Sequence, residues 1–141
     1  MNVFIVGAGP GDPELITVKG QKLLSEADVI IYAGSLVNPA LLDYAKAGCE
    51  IHNSASMTLP QVINVIEDGV KHGKMVVRLH TGDPSIYGAI QEQMDALDKL
   101  GIEYKVVPGV SSFLATAAAL KQEYTLPGIS QTVIITRNEG R

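Results

Sequence analysis

Short apolar runs alternate with longer segments in which apolar residues recur every three or four positions along the 141-residue chain. The runs predict strands at residues 3–6, 29–32, 50–52, 75–79, 104–107 and 133–136. The longer spacing predicts helices at residues 13–26, 39–45, 59–71, 86–100 and 111–120. Strands that alternate with helices predict an α/β fold, with a mostly parallel sheet of about five strands and helices on both faces.

The loops that follow the predicted strands carry the unusual residues. Gly73 and Gly101 are expected to end two of the helices in the left-handed conformation. In parallel sheets, ligands bind where the carboxyl ends of the strands and their loops gather. Gly-Asp-Pro occurs twice at such positions, at residues 11–13 and 82–84. We therefore expect the two loops to meet at one edge of the sheet.

Composition excludes several classes of function. The net charge is −4 and the aromatic content 5%, which argues against nucleic-acid binding. No apolar run reaches the roughly 18 residues that a membrane helix needs, and the chain does not begin with a signal peptide pattern. Cys49 stands alone, and His52, His72 and His80 lack ligand spacing, so we expect no metal site. A cytoplasmic location is the expectation.

The first loop, Gly7-Ala8-Gly9-Pro10-Gly11-Asp12-Pro13, is rich in glycine. Asp12 and Pro13 are typical of a helix start, but helix initiation leaves the preceding glycines unexplained. We interpret the loop as lining a ligand site. NAD and ATP are disfavoured, because Asp12 occupies the place of the third glycine of a dinucleotide fingerprint and no Gly-Lys-Ser/Thr follows.

The second and third loops have the same two interpretations. Asp83 and Pro84 are expected to start a helix, and Gly88 in its first turns suggests close approach by another group. His80 is interpreted as an ordinary polar residue. Ser111 or Ser112 is expected to cap the last helix, and neither is expected to be a nucleophile, because no G-x-S-x-G elbow surrounds them.

Three ordered motifs resemble the tetrapyrrole (corrin/porphyrin) methyltransferases, which use S-adenosylmethionine. They are VGAGPGDPELIT at 6–17, VVRLHTGDPSIYGA at 76–89 and VVPGVSSFLATAAAL at 106–120. YAGSLVNPALL at 32–42 and the tail at 125–141 resemble the members that methylate C11 of precorrin-4 or cobalt-precorrin-4. The resemblance implies an N-terminal α/β domain at residues 1–130, and at 131–141 a linker and the start of a truncated second domain. The resemblance also implies a homodimer in which the cofactor lies in the cleft between two domains of each chain.

The resemblance also assigns roles to individual residues. Eight would contact S-adenosylmethionine: Pro10, Thr81, Gly82, Asp83, Ile86, Tyr87, Ser111 and Ser112. Gly9, Gly11 and Asp12 would line the trough for the tetrapyrrole. The methyl group would pass from sulfur to a carbon of the macrocycle by in-line displacement, and no general base is named, although Asp12 is the nearest titratable group. The alternatives are a non-catalytic binding or assembly module and a sister enzyme, such as a uroporphyrinogen methyltransferase, that acts at another ring position.

Overall fold

Nine regular elements follow one another in the computed structural model, which describes residues 2–138. The strands in this part of the chain are β1 Val3–Gly7, β2 Val29–Tyr32, β3 Glu50–Asn53, β4 Val76–His80 and β5 Tyr104–Val107. The α-helices are α1 Val18–Glu26, α2 Leu59–Lys71, α3 Ile90–Lys99 and α4 Ser112–Leu120. Short 3₁₀ helices occur at Pro13–Leu15, Pro39–Tyr44 and Ser54–Ser56.

The strands form one parallel sheet in the order β3-β2-β4-β1-β5. The central strand β4 is buried along its whole length, and Val76 is in register with Val3 of β1 and Val29 of β2. The predicted α/β class is therefore confirmed. The carboxyl ends of β1, β4 and β5 lie side by side, so the loops that follow them share one edge.

Helices cover both faces of this sheet, as predicted. Leu23 and Leu24 of α1 pack with strand residues such as Ile30 and Val77 on one face. On the other face, Ile63 and Ile66 of α2 and Leu97 of α3 pack against residues of β1, β2 and β4. Because successive strand residues point to opposite faces, β1, β2 and β4 contribute buried residues to both cores. This two-sided burial explains the apolar runs of β1 and β2, whereas the edge strand β3 is mostly exposed.

Helix α2 has the predicted bounds because its start is specified locally. The Thr58 side chain accepts from the backbone N–H of Gln61, and the Gln61 side chain accepts from the backbone N–H of Thr58. This reciprocal pair is a capping box. Gly73 and Gly101 follow α2 and α3 with φ of +69° and +66°, which confirms the predicted left-handed ends.

Two other helix predictions were wrong in form. Residues 13–26 are split, since Asp12 caps only the 3₁₀ helix Pro13–Leu15 and α1 begins after Thr17, whose side chain accepts from the backbone N–H of Gly20 at 3.0 Å. A second N-cap three residues before Gly20 satisfies the free donors of a new helix start. Residues 39–45 form a 3₁₀ helix over Pro39–Tyr44 rather than an α-helix.

The predicted helix at 86–100 starts only at Ile90. Tyr87 and Ala89 have φ of +55° and +51°, a left-handed conformation that cannot continue a right-handed helix. Gly88 therefore lies in an irregular segment. A Cβ there would come within 2.2 Å of the carbonyl oxygen of Pro84, so the close neighbour expected at this position is the chain's own backbone.

The predicted strand at 133–136 is absent, because residues 131–138 have no regular structure in the part of the chain described. Ile134 is 82% exposed. A strand needs a neighbour to pair with its backbone groups, and this segment pairs with no strand among the described residues. The end of the tail, residues 139–141, lies outside the described residues.

Candidate functional site

Three loops meet at the carboxyl ends of β1, β4 and β5 and are joined through their backbones. The N–H of Gly9 donates to the carbonyl oxygen of Gly82 at 3.2 Å, and the N–H of Gly82 donates to that of Gly9 at 2.8 Å. The N–H of Ala8 also donates to the carbonyl oxygen of His80 at 2.6 Å. The two Gly-Asp-Pro segments therefore belong to directly paired loops.

The third loop is joined to the second by Asp83. One carboxylate oxygen accepts from the backbone N–H of Gly109 at 2.9 Å, and the other accepts from that of Ser85 at 2.8 Å. The prediction that Asp83 and Pro84 start a helix was wrong, since residues 84–87 form a turn. Asp83 instead connects two loops that are 26 residues apart in sequence.

Glycine is needed where the three loops touch. A Cβ on Gly7 would lie 2.6 Å from the carbonyl oxygen of Gly82 and 2.7 Å from the Cα of Gly109. A Cβ on Gly109 would lie 2.2 Å from the same oxygen. Part of the glycine excess in the first loop therefore serves close contact between backbones, and only part lines open space.

The joined loops line an open cleft of about 310 Å³, at the lower end of the range for small-molecule sites, roughly 300–1,000 Å³. All eight residues assigned to the cofactor lie on its wall: Pro10, Thr81, Gly82, Asp83, Ile86, Tyr87, Ser111 and Ser112. Of the three residues assigned to the tetrapyrrole, Gly9 lines the cleft, whereas Gly11 and Asp12 are not part of its wall. Leu36 and Phe113 also line it and were not assigned from the sequence.

The signals for those two residues were present in the motifs. Leu36 lies within YAGSLV and is 74% exposed. Phe113 follows the two serines of the third loop and stacks with Tyr124, with ring centroids 6.4 Å apart. The sequence could not show that these two side chains line a cleft, because that depends on which elements the tertiary structure brings together.

The cleft combines apolar surface with one carboxylate. Leu36, Ile86, Tyr87 and Phe113 offer apolar and aromatic surface, while Asp83 is the single charged side chain on the described wall. Its negative charge favours a cationic group nearby. The guanidinium of Arg137 lies 5.3 Å from the centroid of the Tyr87 ring, which connects the tail to the cleft by a cation–π contact.

Gly11 and Asp12 occupy the outer side of the first loop. The Asp12 carboxylate accepts from the backbone N–H of Glu14 at 2.9 Å and is exposed. The Asn38 side chain donates to the carbonyl oxygen of Gly11 at 2.7 Å, which fixes this loop against the 3₁₀ helix Pro39–Tyr44. The structure thus places these two residues beside the cleft, not on its wall.

A pair of basic residues lies beneath the second loop. Arg78 and His80 are 7% and 5% exposed, and both lie on the face of β4 that α3 covers. Burial and the neighbouring Arg78 lower the pKa of His80 to about 4, so the imidazole is neutral at neutral pH. Burial lowers the pKa of Arg78 to about 10, which leaves it charged. His80 does not line the cleft, in agreement with the non-catalytic interpretation.

A smaller cavity of about 280 Å³ lies between the second loop and the start of α3, lined by residues that include Ser85, Tyr87 and Gln91. Cavities of about 430 and 520 Å³ lie around Gly101 and Ile102, before β5 and thus at the amino ends of the strands. No group of three or more potential metal ligands occurs among residues 2–138. Nor does any helix in that range have the length and apolar character needed to cross a membrane.

Comparison with known proteins identifies the family of the chain. Residues 2–141 match the family model described as Tetrapyrrole (Corrin/Porphyrin) Methylases. The chain is 66% identical over 139 residues to the cobalt-precorrin-4 C(11)-methyltransferase of Methanocaldococcus jannaschii, covering 99% of the chain and 54% of that protein. It is 51% identical to the precorrin-4 C(11)-methyltransferase of Pseudomonas aeruginosa, covering 100% of the chain and 56% of that protein. The chain thus spans about half the length of these relatives.

Solved structures agree with the sequence comparison. The X-ray structure of a cobalt precorrin-4 methyltransferase, described as a cobalamin biosynthetic enzyme, superposes with a TM-score of 0.96 at 53% identity, covering 99% of the chain and 58% of that structure. A uroporphyrin-III C-methyltransferase from Thermus thermophilus, complexed with S-adenyl homocysteine, superposes with a TM-score of 0.76 at 34% identity. That match covers 94% of the chain and 53% of that structure.

Proposed function

The chain belongs to the tetrapyrrole (corrin/porphyrin) methylases, and we propose that it forms the N-terminal part of an S-adenosylmethionine-dependent methyltransferase. The proposed reaction is transfer of a methyl group to C11 of precorrin-4 or cobalt-precorrin-4 in corrin ring biosynthesis. One observation carries the proposal: the three family motifs converge on a single cleft, with all eight residues assigned to the cofactor on its wall. Two relatives of 66% and 51% identity, named for C11 methylation, support the ring position.

The residues of the cleft fit the chemistry of S-adenosylmethionine. The molecule carries a sulfonium and an ammonium cation, and the negative charge of Asp83 favours both. Both Asp83 oxygens already accept backbone N–H groups, so the carboxylate is held in place before any ligand arrives. The exposed side chains of Ile86 and Tyr87 and the half-buried ring of Phe113 suit a flat purine ring or the face of a macrocycle.

The protein's part in the reaction is to bind, orient and exclude water. When bound, S-adenosylmethionine supplies an electrophilic methyl group. Pro10, Thr81, Gly82 and Ser112 would hold the donor in place, while Gly9 would contact the tetrapyrrole. Holding two reactants in line can supply several kcal/mol of the barrier reduction, about 7–11 in the best model reactions. No proton transfer at a protein atom is needed for the displacement itself, so the proposal names no general base.

The remaining parts of the proposal concern the whole protein. We propose that residues 1–130 form its N-terminal domain and that 131–141 form a linker and the start of a second domain, in keeping with relatives of nearly twice this length. Gly11 and Asp12 would contribute to the trough for the tetrapyrrole from outside the cleft. A cytoplasmic homodimer is also proposed, on the family resemblance, and light scattering of the full-length protein tests it.

The test combines binding and product analysis in the full-length protein. Calorimetry with S-adenosylhomocysteine should show binding that Thr81→Val and Ser112→Ala weaken by about tenfold, the effect of one lost hydrogen bond. Ser25→Ala serves as the matched control, because Ser25 is an exposed residue of α1 that does not line the cleft. NMR of the product made from ¹³C-methyl-labelled S-adenosylmethionine should place the label at C11.

Each contrary result has a distinct meaning. Absence of S-adenosylhomocysteine binding would reject the assignment of the cleft. Binding without methyl transfer to either C11 substrate would favour a non-catalytic module, provided that other tetrapyrroles are not methylated. Label at another ring carbon would favour a sister methyltransferase. Activity on only one of the two substrates would decide whether cobalt is present before this step.

A further inference from the structure

The segment from residue 81 to residue 89 carries five of the eight residues proposed to bind S-adenosylmethionine. It begins directly after His80, the last residue of β4, and ends at Ala89, directly before α3. Ala89 occupies the N-cap position of α3 but provides no side-chain hydrogen bond, and its φ is +51°. Such a conformation is strained in a residue with a Cβ, which lies too close to the following carbonyl oxygen. Something other than local sequence must therefore hold this end of the segment.

One buried side chain contacts both Ala89, the last residue of the segment, and His80, the residue directly before its start. Gln93, in the first turns of α3, is 5% exposed. Its amide nitrogen lies 3.3 Å from the carbonyl oxygen of Ala89 and 3.3 Å from Nε2 of His80. Its amide oxygen accepts from Nε of Arg78 at 3.2 Å. Arg78 in turn donates from its guanidinium to the carbonyl oxygen of Ile31 at 3.2 Å, which connects the group to β2.

Hydrogen-bond chemistry permits this arrangement in one orientation only. A guanidinium can only donate, so the amide oxygen of Gln93 must face Arg78. The amide NH₂ then faces the carbonyl oxygen of Ala89 and the ring of His80. Because NH₂ donates, Nε2 of His80 must accept, which places the ring proton on Nδ1. A neutral His80 agrees with its lowered pKa of about 4.

We propose that Gln93 is a positioning residue for S-adenosylmethionine, holding the two ends of the 81–89 segment at a fixed separation. The inference rests on the proposed function, because it assumes that this segment contacts the cofactor. A segment held in its binding conformation loses less conformational freedom when the ligand arrives, and the ligand binds more tightly. Gln93 itself lies beneath the segment and does not line the cleft.

Two substitutions separate positioning from general stability. Gln93→Glu keeps an acceptor for Arg78 but removes both side-chain N–H donors, so the carbonyl oxygen of Ala89 loses its side-chain donor. Gln93→Met preserves the length of the side chain without adding charge. Gln91→Met is the matched control, because Gln91 lies in the same turn of α3 on the exposed face and its side chain hydrogen-bonds to Asp95 and not to Ala89 or His80.

The measurements are the S-adenosylhomocysteine Kd and the KM of each substrate in the full-length protein. We expect the Kd and the KM for S-adenosylmethionine to rise about tenfold in both Gln93 variants, as for loss of one hydrogen bond. The KM for the tetrapyrrole should change less than twofold, because the bond from the Asn38 side chain to the carbonyl oxygen of Gly11 holds the first loop from outside the 81–89 segment. Gln91→Met should match wild type in every parameter.

Three outcomes would overturn the inference. The first is unchanged S-adenosylhomocysteine affinity in folded Gln93 variants. The second is an equal rise in the KM of both substrates, which indicates a general structural defect. The third is failure of both variants to fold, which would show that the network serves the fold and not the placement of the segment. If the wild-type protein binds no S-adenosylhomocysteine, the proposed function itself has failed, and the inference fails with it.

Discussion

The two Gly-Asp-Pro loops follow the neighbouring strands β1 and β4, yet their aspartates have different tasks. Asp12 accepts one backbone N–H two residues ahead and is exposed to solvent. Asp83 accepts two, and one of them, from Gly109, belongs to another loop. The same tripeptide therefore caps a short turn in the first loop and connects two loops in the second. The role of a capping residue thus depends on which hydrogen-bond donors the tertiary structure brings close to it.

The largest difference in the free energy of unfolding is expected between alanine variants of two glycines in the first loop. Gly7→Ala should destabilise the protein by about 3 kcal/mol, since the new Cβ would overlap backbone of both other loops, and overpacking of that kind is costly. Gly11→Ala should cost about 1–2 kcal/mol, because its φ of +124° is strained for alanine although no atom lies within 4 Å of the new Cβ. Urea unfolding of both variants measures the difference, and equal values would contradict the close contact at Gly7.

Alanine substitution of the two aspartates should reduce stability by different amounts, because Asp83 accepts two backbone hydrogen bonds and Asp12 accepts one. Asp83→Ala is expected to cost about 2 kcal/mol, because the N–H groups of Ser85 and Gly109 lose a charged acceptor. Asp12→Ala should cost about 0.5–1 kcal/mol, as for an ordinary cap. Urea unfolding gives both numbers. S-adenosylhomocysteine affinity should fall for Asp83→Ala, whereas equal losses in the two variants would remove the distinction between the loops.

Lowering the pH should destabilise the folded protein through His80, which lies beneath the second loop. The pKa of His80 is about 4 in the folded protein and 6.5 in its ordinary state, so the unfolded chain binds more protons between these values. Stability is therefore complete above pH 6.5 and falls as the pH is lowered, by about 1 kcal/mol from pH 6 to pH 5. Unfolding at several pH values, compared with His80→Asn, measures this contribution. A wild-type profile parallel to that of the variant would contradict it.

The smallest expected effect has the opposite sign. Ala89→Gly should stabilise the protein by about 0.5–1 kcal/mol, because glycine accepts the left-handed φ of +51° that costs alanine energy, less the entropy that glycine loses on folding. Ala96→Gly, inside α3, is the control and should destabilise by about 1 kcal/mol. Thermal unfolding distinguishes the two signs. A destabilised Ala89→Gly variant would indicate that this residue is not held in the left-handed conformation.

Much of the fold was predictable because it depends on local patterns. Strands β1 and β2 are continuous apolar runs, as two-sided burial requires, and α2 carries its own start signal in Thr58 and Gln61. The wrong helix start at residue 86 and the wrong strand at 133–136 have a common cause. Residues 85–89 and 132–136 have suitable patterns, but a helix needs right-handed backbone and a strand needs a partner, and both conditions are set by distant residues.

The candidate site divides in the same way. The motifs named eight residues that the structure brings to one cleft, because loops after parallel strands must gather at one edge. Leu36 and Phe113 were missed, since their exposure depends on what covers them. The buried contacts of Gln93 with Arg78 and His80 were also not foreseeable, because a glutamine on a helix is ordinarily exposed.

The sequence by itself determined the strand and helix alternation, the parallel sheet and the edge at which the motif loops lie, because these follow from periodicity and chain geometry. Only the tertiary structure decided that Gly7, Gly82 and Gly109 meet, that Asp83 joins two loops, and that Gln93 reaches both ends of the 81–89 segment. Gly7 lies 75 residues or more before the other two glycines, and no local preference records a contact at that separation. Such contacts exist only once the sheet has placed β1, β4 and β5 side by side.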